Sequence, residues 1–479
     1  MYSVIVGTLT PTEAFAAIQS EALALLFGMM VLVEYLKDDS VFDKMLDRFI
    51  VHNTSLTPTR LLWILSAITA SSAALFTNDT MCIALTQIIC RICDQRGYHP
   101  GPHMVTIAMS ANIGSAATLI GNPQNVIIAA LSGMPFGMFF FYSVAAAAVC
   151  LVVNTLALSY WYADELTEMV FVPTDDKEET EMASQYGAVE SGGSFEMLDE
   201  TSPLKPMQQH NDMALVRKLS QITRQTTLSD TNSTVSKSIE SVETTVDLER
   251  GNKVCCFGPF SSEINRTTFR YAFAITVVST LGGFLLNALP LGLTATAGGC
   301  VCFALDSIIN RKSPERIFAR VNWELLVFFA ALFIIIQGLQ ATQIPSQLLT
   351  VVVPMMKVTT LSGVVTFTAV VTVACNIFNN VPTVLLMGLA TVGTSSPELV
   401  MEVLGQQQLA WILLAWVSTV AGNLTLMGSV ANLIVAEEGK KYFELSFGYY
   451  SSFGFPITLV TLYLGVAIIC GMWVVMTAL

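Results

Sequence analysis

Charge is what this sequence has least of. Only 12% of its 479 residues are Asp, Glu, Lys or Arg, about half the share usual in soluble domains, while 53% are hydrophobic. A chain so poor in charge has lipid as its solvent. Basic clusters are confined to short loops, so nothing neutralises a run of phosphates, and nucleic acid is excluded as a partner. Paired cysteines are lacking too: the ten present are scattered, mostly inside apolar runs, which excludes a secreted disulfide framework. Cys90-x-x-Cys93 has redox or metal spacing, but at helical spacing in an apolar segment it reads as two small packing residues. The four histidines, His52, His99, His103 and His210, fall in loops or in a polar insert and form no HExxH or other ligand cluster. Neither a metal nor a cofactor is expected.

What the sequence does hold is long apolar runs. Stretches able to span about 30 Å of hydrocarbon lie roughly at 18–36, 134–162, 268–288, 291–309, 322–340 and 449–476. Four more, roughly 60–93, 102–132, 358–395 and 408–438, are apolar but interrupted by polar or Gly/Pro clusters. Between them, 165–265 carries 18 of the 36 acidic and 8 of the 23 basic residues, so most of the net negative charge belongs there. That stretch is rich in Ser, Thr, Glu and Asp and has no sustained apolar period, which predicts an acidic, disordered cytoplasmic linker. Within it, Arg217-Lys218-Leu219-Ser220 and Arg224-Gln225-Thr226-Thr227 match phosphorylation patterns that also arise by chance in disorder, and Cys255-Cys256 is either a palmitoylation pair or incidental.

Lysine and arginine set the orientation. With a cytoplasmic linker, re-entrant hairpins at 60–93 and 358–395, and single crossings at 102–132 and 408–438, the cations sort to the inside and Lys357 alone lies outside. Treating the two hairpins as full spanning pairs, with their polar tips as loops, is the alternative.

An internal repeat decides how these segments are read. Thr118-Leu119-Ile120-Gly121-x3-Asn125 recurs about 307 residues later as Thr425-Leu426-Met427-Gly428-x3-Asn432. Phe76-x-Asn78 recurs as Phe378-x-Asn380, and Glu21 and Glu324 each precede an apolar span. The predicted orientation inverts the two copies. The expected fold is therefore an all-α polytopic membrane protein of two inverted-topology repeats, each with a re-entrant helical hairpin and a broken transmembrane helix. The repeats are 1–164 and 266–479. Two spans precede Glu324 where the first copy has only Met1 to about Leu9, so the first repeat is expected to lack an N-terminal helix.

Chemistry should sit at the breaks. Thr77, Asn78, Asp79 and Thr80 form the first tip, and Asn379, Asn380 and Thr383 the second. Thr118, Gly121, Asn122, Gln124 and Asn125 interrupt one helix; Thr425, Gly428, Ser429 and Asn432 interrupt the other. Asp79 is the one carboxylate placed deep in the membrane, which makes it the candidate proton carrier, with capping of the half-helix after Thr80 as the plainer role. The second tip has no carboxylate, and its Pro382 suits a first helical turn. The neutral amides and hydroxyls suit a polyhydroxylated or weakly charged solute. Glu437 and Glu438, next to Lys440-Lys441, read as an interfacial ion pair.

Ala74-Leu75-Phe76-Thr77-Asn78-Asp79-Thr80, Asn112-Ile113-Gly114-Ser115 with Ala117 to Asn125, Asn380-Val381-Pro382-Thr383 to Gly388, and Leu414-Ala415-Trp416 through Asn432 resemble the silicon efflux transporters of plants and algae. These belong to the ion transporter superfamily, with citrate-transporter-like proteins, arsenite permeases and sodium/proton antiporters. The resemblance covers both membrane halves and skips the linker. It implies a transporter rather than an enzyme, moving silicic acid or its mimic arsenite out of the cytoplasm against protons. In sodium/dicarboxylate relatives the tips carry Ser-Asn-Thr motifs for sodium and carboxylates. Thr77-Asn78-Asp79 and Asn379-Asn380-Val381 depart from these, which disfavours a dicarboxylate. A small inorganic or organic solute, a coupling proton or sodium ion and the lipid bilayer are the expected partners, with self-association left open. Organic-anion or sodium/proton carriage and a passive channel are the other functions open to this scaffold, in the plasma membrane or an internal one.

Overall fold

The computed structural model describes residues 9–38, 56–167, 259–287, 289–392 and 398–478. The expectations for 168–258, including both phosphorylation patterns and Cys255-Cys256, lie outside the described residues, as do residues 1–8.

Helices begin where the sequence supplies the chemistry to begin them. α1 (Pro11–Ala16), α3 (Pro58–Phe76), α5 (Pro100–Ser115) and α6 (Pro123–Ser132) each have proline in the first turn, where its missing N–H costs nothing. Thr57 caps α3 through the N–H of Arg60, and Asn122 caps α6 through the N–H of Asn125 at 2.8 Å. Left-handed Gly97 and Gly133 close α4 (Asn78–Arg96) and α6. α2 (Ser20–Asp38) precedes these, and α7 (Phe136–Trp161) ends the first half. The second half runs α8 (Pro259–Leu286), α9 (Leu291–Leu305) with a π turn over Asp306–Asn310, α10 (Glu315–Phe318), α11 (Trp323–Ala341), α12 (Ile344–Val352), α13 (Leu361–Phe378) and α14 (Asn380–Leu389). It continues with α15 (Val400–Val403), α16 (Gln407–Val420), α17 (Val430–Gly439) and α18 (Phe447–Ala478). Apart from short helical turns and loops, the described residues add to these helices one antiparallel pair, Thr391–Val392 against Glu398–Leu399.

Seven of the described helices are long and apolar enough to cross a membrane. The uninterrupted runs are each one helix, and the four interrupted runs break at Thr77, at 116–122, at Asn379 and at 421–429. One expectation changes. His103 is not in a loop: it lies in the first turn of α5, 1% exposed, with its ring nitrogens facing the carbonyls of His99 and Pro58. Asp306, in the turn that ends α9, is buried too, at 2% exposure, paired with Arg316 at 3.1 Å and accepting from Asn310. Asp79 is half-buried.

α5 and α16 form the centre, with every residue from Gly101 to Ser115 and from Leu409 to Val420 buried. Such burial needs neighbours that approach closely, and glycine permits it. A Cβ on Gly114 would lie 2.2 Å from the Ala70 carbonyl of α3, and one on Gly28 would strike the α9 backbone at Ala295. α18 runs antiparallel to α7, with Phe453 against Trp161 at one end and Trp473 against Tyr142 at the other. The Trp416 indole of α16 sits on Gly465 and donates to the Leu462 carbonyl at 3.1 Å. Cys90 and Cys93 are buried free thiols. Gly114→Ala is therefore expected to destabilise the detergent-solubilised protein by about 1–3 kcal/mol, read as a lowered melting temperature. Gly448→Ala, where nothing lies within 4 Å of the added carbon, should leave it unchanged.

Candidate functional site

Both tips turn on a non-glycine residue with left-handed φ: Thr77 at φ 82° and Asn379 at φ 75°. Each such residue costs about 1–3 kcal/mol unless its surroundings hold it. At the first tip the hold is extensive. The Asn78 N–H donates to the Gly121 carbonyl at 3.0 Å, the Asn78 amide donates to Asn112 Oδ1 at 2.9 Å, and Thr118 Oγ1 donates to the Ala74 carbonyl at 2.6 Å. Thr77 Oγ1 donates to Thr80 Oγ1. At the second tip the Asn379 side chain accepts from the N–H of Asn380, and Thr383 Oγ1 donates to the Asn379 carbonyl. Among the described residues the Asp79 carboxylate accepts no hydrogen bond and forms no ion pair, so it caps no helix.

The two helix breaks are satisfied in one way. Asn125 Nδ2 donates to the carbonyls of Ser115 and Thr118, and Asn432 Nδ2 to those of Gly422 and Thr425. Each member of the second set lies 307 residues after its counterpart, as 432 does after 125. A Cβ on Gly121 would lie 2.3 Å from the Ser115 carbonyl oxygen, and one on Gly428 would lie 2.8 Å from that of Gly422, so both positions demand glycine.

Contacts between the halves are reciprocal at the same offset. Asn112 Nδ2 donates to Asn432 Oδ1 at 3.1 Å, and Thr419, 307 residues after Asn112, donates to Asn125 Oδ1 at 3.4 Å. Ser429 Oγ donates to Asn112 Oδ1, while Asn122 Nδ2 donates to Thr419 Oγ1. Gln124 also donates to Thr419, and Asn112 to Asn423 Oδ1 at 2.8 Å. Sequence reasoning did not single out Thr419 or Asn423, and took Asn112 only as part of a motif. Asn112 and Thr419 occupy equivalent positions but differ in residue type, so matching identities passes over them.

A cavity of about 260 Å³ lies where the tips meet. Asn78, Asp79 and Gln124 from the first half line it with Asn379, Asn380 and Ser429 from the second. Of the residues expected at the site, these six reach the cavity. Thr77, Thr80, Thr118, Gly121, Asn122, Asn125, Thr383, Thr425, Gly428 and Asn432 instead build the turns and breaks behind it. Asn380 Oδ1 is buried with no hydrogen-bond partner. Pro123, Phe378, Val381, Pro382 and Val430 also line it, as do Leu325, Phe328 and Phe329 of α11; these three lie outside the polar motifs and gave no sequence signal. Among the described residues no Lys, Arg or His lines the cavity, and no cluster of His, Cys, Asp or Glu could hold a metal ion. At the edge of the molecule Glu437 faces Lys440 at 4.0 Å and Glu438 accepts from Gln87 of α4.

The family profile described as citrate transporter (CitMHS) matches residues 1–421. This chain belongs to the citrate transporter family. Among its relatives, the silicon efflux transporter LSI3 of Oryza sativa subsp. japonica is 31% identical over 97% of this chain and 90% of its own length. The arsB protein of Dictyostelium discoideum, described as a transporter, is 30% identical over 97% of this chain and 84% of its own. The P protein of Sus scrofa is 26% identical over 98% of this chain and 55% of its own. With its apolar helices, membership of the citrate transporter family makes the chain an integral, multi-pass membrane transporter of a small solute, not an enzyme.

Asn112→Leu would strip partners from Asn78, Asn423, Asn432 and Ser429 at once, with each buried orphan costing about 1–3 kcal/mol. Thr419→Val, which keeps the shape but strips a partner from Asn122, Gln124 and Asn125, is expected to melt lower than the native protein as well, by less than Asn112→Leu.

Proposed function

We propose that this chain is a secondary active exporter that moves silicic acid, or arsenite as its mimic, out of the cytoplasm in exchange for protons. The observation that carries this reading is the make-up of the cavity: one carboxylate, Asp79, among neutral amides and a hydroxyl, with no cation among the described residues that line it. Citrate or a dicarboxylate would place two or three negative charges beside Asp79, where desolvated carboxylates require paired cations or many donors. An uncharged hydroxylated acid meets no such penalty, and its O–H groups suit the neutral amides and the Ser429 hydroxyl of the lining. Because that solute is uncharged near neutral pH, membrane potential acts on it only through a coupled ion, and an entering proton contributes about 2.3 kcal/mol per 100 mV. Asp79 is the proposed proton carrier. The relationship to a silicon efflux transporter over nearly the whole chain favours the same solute class.

The architecture proposed for this work is a pair of inverted repeats, 1–164 and 266–479, joined by a cytoplasmic linker. Helices α3–α4 and α13–α14 serve as re-entrant hairpins whose tips meet near the midplane. Support comes from the reciprocal contacts: when residue i of one copy meets residue j of the other and their counterparts meet in turn, the copies are related by a two-fold operation. The family description favours a second reading, an organic-anion carrier coupled to sodium or protons.

Uptake of silicic acid, arsenite and citrate into inside-out vesicles under an imposed pH gradient separates these. Gradient-accelerated uptake of the two metalloid acids and none of citrate is expected; citrate-only uptake overturns the proposal. Asp79→Asn is expected to lower gradient-driven flux on the order of tenfold or more. Wild-type flux indifferent to the pH gradient would mark a passive channel, and an Asp79→Asn variant that keeps both flux and pH response removes Asp79 as the proton carrier.

A further inference from the structure

We propose that Leu325 and Phe328 of α11, backed by Phe329, determine which hydroxylated solute is carried, by giving the cavity a bare wall that faces its hydrogen-bonding tips. The inference rests on the function proposed above and adds residues from a helix outside both polar motifs. Leu325, Phe328 and Phe329 are spaced i, i+3 and i+4, so a single face of α11 presents them together. Phe329 is 2% exposed and fixed in the core, whereas Phe328 is 55% exposed and lines the cavity. From Leu325 to Ala331 that helix has no polar side chain. The remaining lining sets the Asp79 carboxylate and the polar side chains of Asn78, Gln124, Asn379, Asn380 and Ser429 beside Pro123, Phe378, Val381, Pro382 and Val430.

Such a two-faced site sorts solutes by where their hydroxyls point. A hydroxyl turned toward the phenyl and leucyl groups gives up water and gains no partner. Tetrahedral Si(OH)4 cannot avoid this, because its four hydroxyls point in all directions. Pyramidal As(OH)3 can: its three hydroxyls lie on one side of the arsenic and a lone pair lies on the other. The apolar wall therefore favours pyramidal trihydroxides over tetrahedral acids, and a polar group placed on it should shift the balance toward the tetrahedral solute.

Initial uptake rates of silicic acid and arsenite, measured in the same vesicles, give a ratio independent of expression level. Phe328→Ser and, on a separate turn contact, Leu325→Asn are expected to raise the silicic acid to arsenite ratio by about three- to tenfold, the worth of one hydrogen bond. Phe328→Leu should keep the wild-type ratio, and so should Val327→Ser, which adds a hydroxyl to the same helix away from the cavity. An unchanged ratio in Phe328→Ser and Leu325→Asn, with both solutes still carried, overturns this inference and leaves the proposed function standing. A shift as large in Phe328→Leu overturns it too, since bulk rather than polarity would then matter. Wild-type vesicles that carry neither solute overturn the function itself, and this inference with it.

Discussion

A helix that stops inside a membrane leaves backbone N–H and C=O groups in a medium that offers them nothing. Two helices here stop inside the buried, apolar core, over residues 116–122 and 421–429, and one asparagine after each break meets the carbonyls left there. Asn125 bonds back to the carbonyls of Ser115 and Thr118, and Asn432 to those of Gly422 and Thr425. The repair has further requirements. Gly121 and Gly428 must lack a Cβ for the loop to fold onto the carbonyls, and α5 and α16 must be enclosed on every side to keep lipid out. The small residues that let α3 approach α5 follow from that enclosure.

Once satisfied, the breaks become the means by which the halves hold each other. Asn125 and Asn432 spend their N–H groups on carbonyls, which leaves their Oδ1 atoms to accept from Thr419 and Asn112 across the interface. Both amide ends of each asparagine are then used. A buried network of this kind is tolerable only when nearly every member has a partner, and the exception is informative. Asn78 uses both ends of its amide, donating from Nδ2 to Asn112 and accepting at Oδ1 from the N–H of Asp79. Its counterpart Asn380 keeps an unpartnered Oδ1. The first half thus contributes a tip held by hydrogen bonds and carrying the ionisable group, and the second a tip with one buried acceptor left unpaired among the described residues.

How much of this the sequence reveals depends on which physical signal each feature leaves. The spans were legible because hydrocarbon imposes a length and a composition together. The breaks were legible because Pro, Gly and Asn clustered inside an apolar run disfavour an unbroken helix at that point. Six of the expected residues reach the cavity; the others form the turns and breaks behind it, since an amide that rescues a carbonyl and an amide that lines a cavity are written with the same letter. Thr419 and Asn423 look like ordinary small polar residues of a buried helix until the partner half is brought alongside. His103 and Asp306 show the converse. Position along the chain suggested exposure, and their burial comes from tertiary neighbours, the Pro58 carbonyl for one and Arg316 for the other.

The apolar wall was hidden for a deeper reason. In a soluble protein an aromatic face beside a polar pocket stands out, but in α11 the whole run from Leu325 to Ile336 is apolar because lipid requires it, so the residues that face the cavity are written in the same alphabet as those that face the bilayer. Only the packing of α11 against the second tip separates Phe328, which lines the cavity, from Val327, which does not. The same helix therefore meets two demands with one composition. Its outward side satisfies the membrane, and its inward side decides how much of a solute's hydration shell can be left unreplaced. A cavity of neutral amides alone would accept any small hydroxylated molecule that fits. Setting those amides against a surface that cannot hydrogen-bond turns a permissive site into one that reads the direction of each hydroxyl.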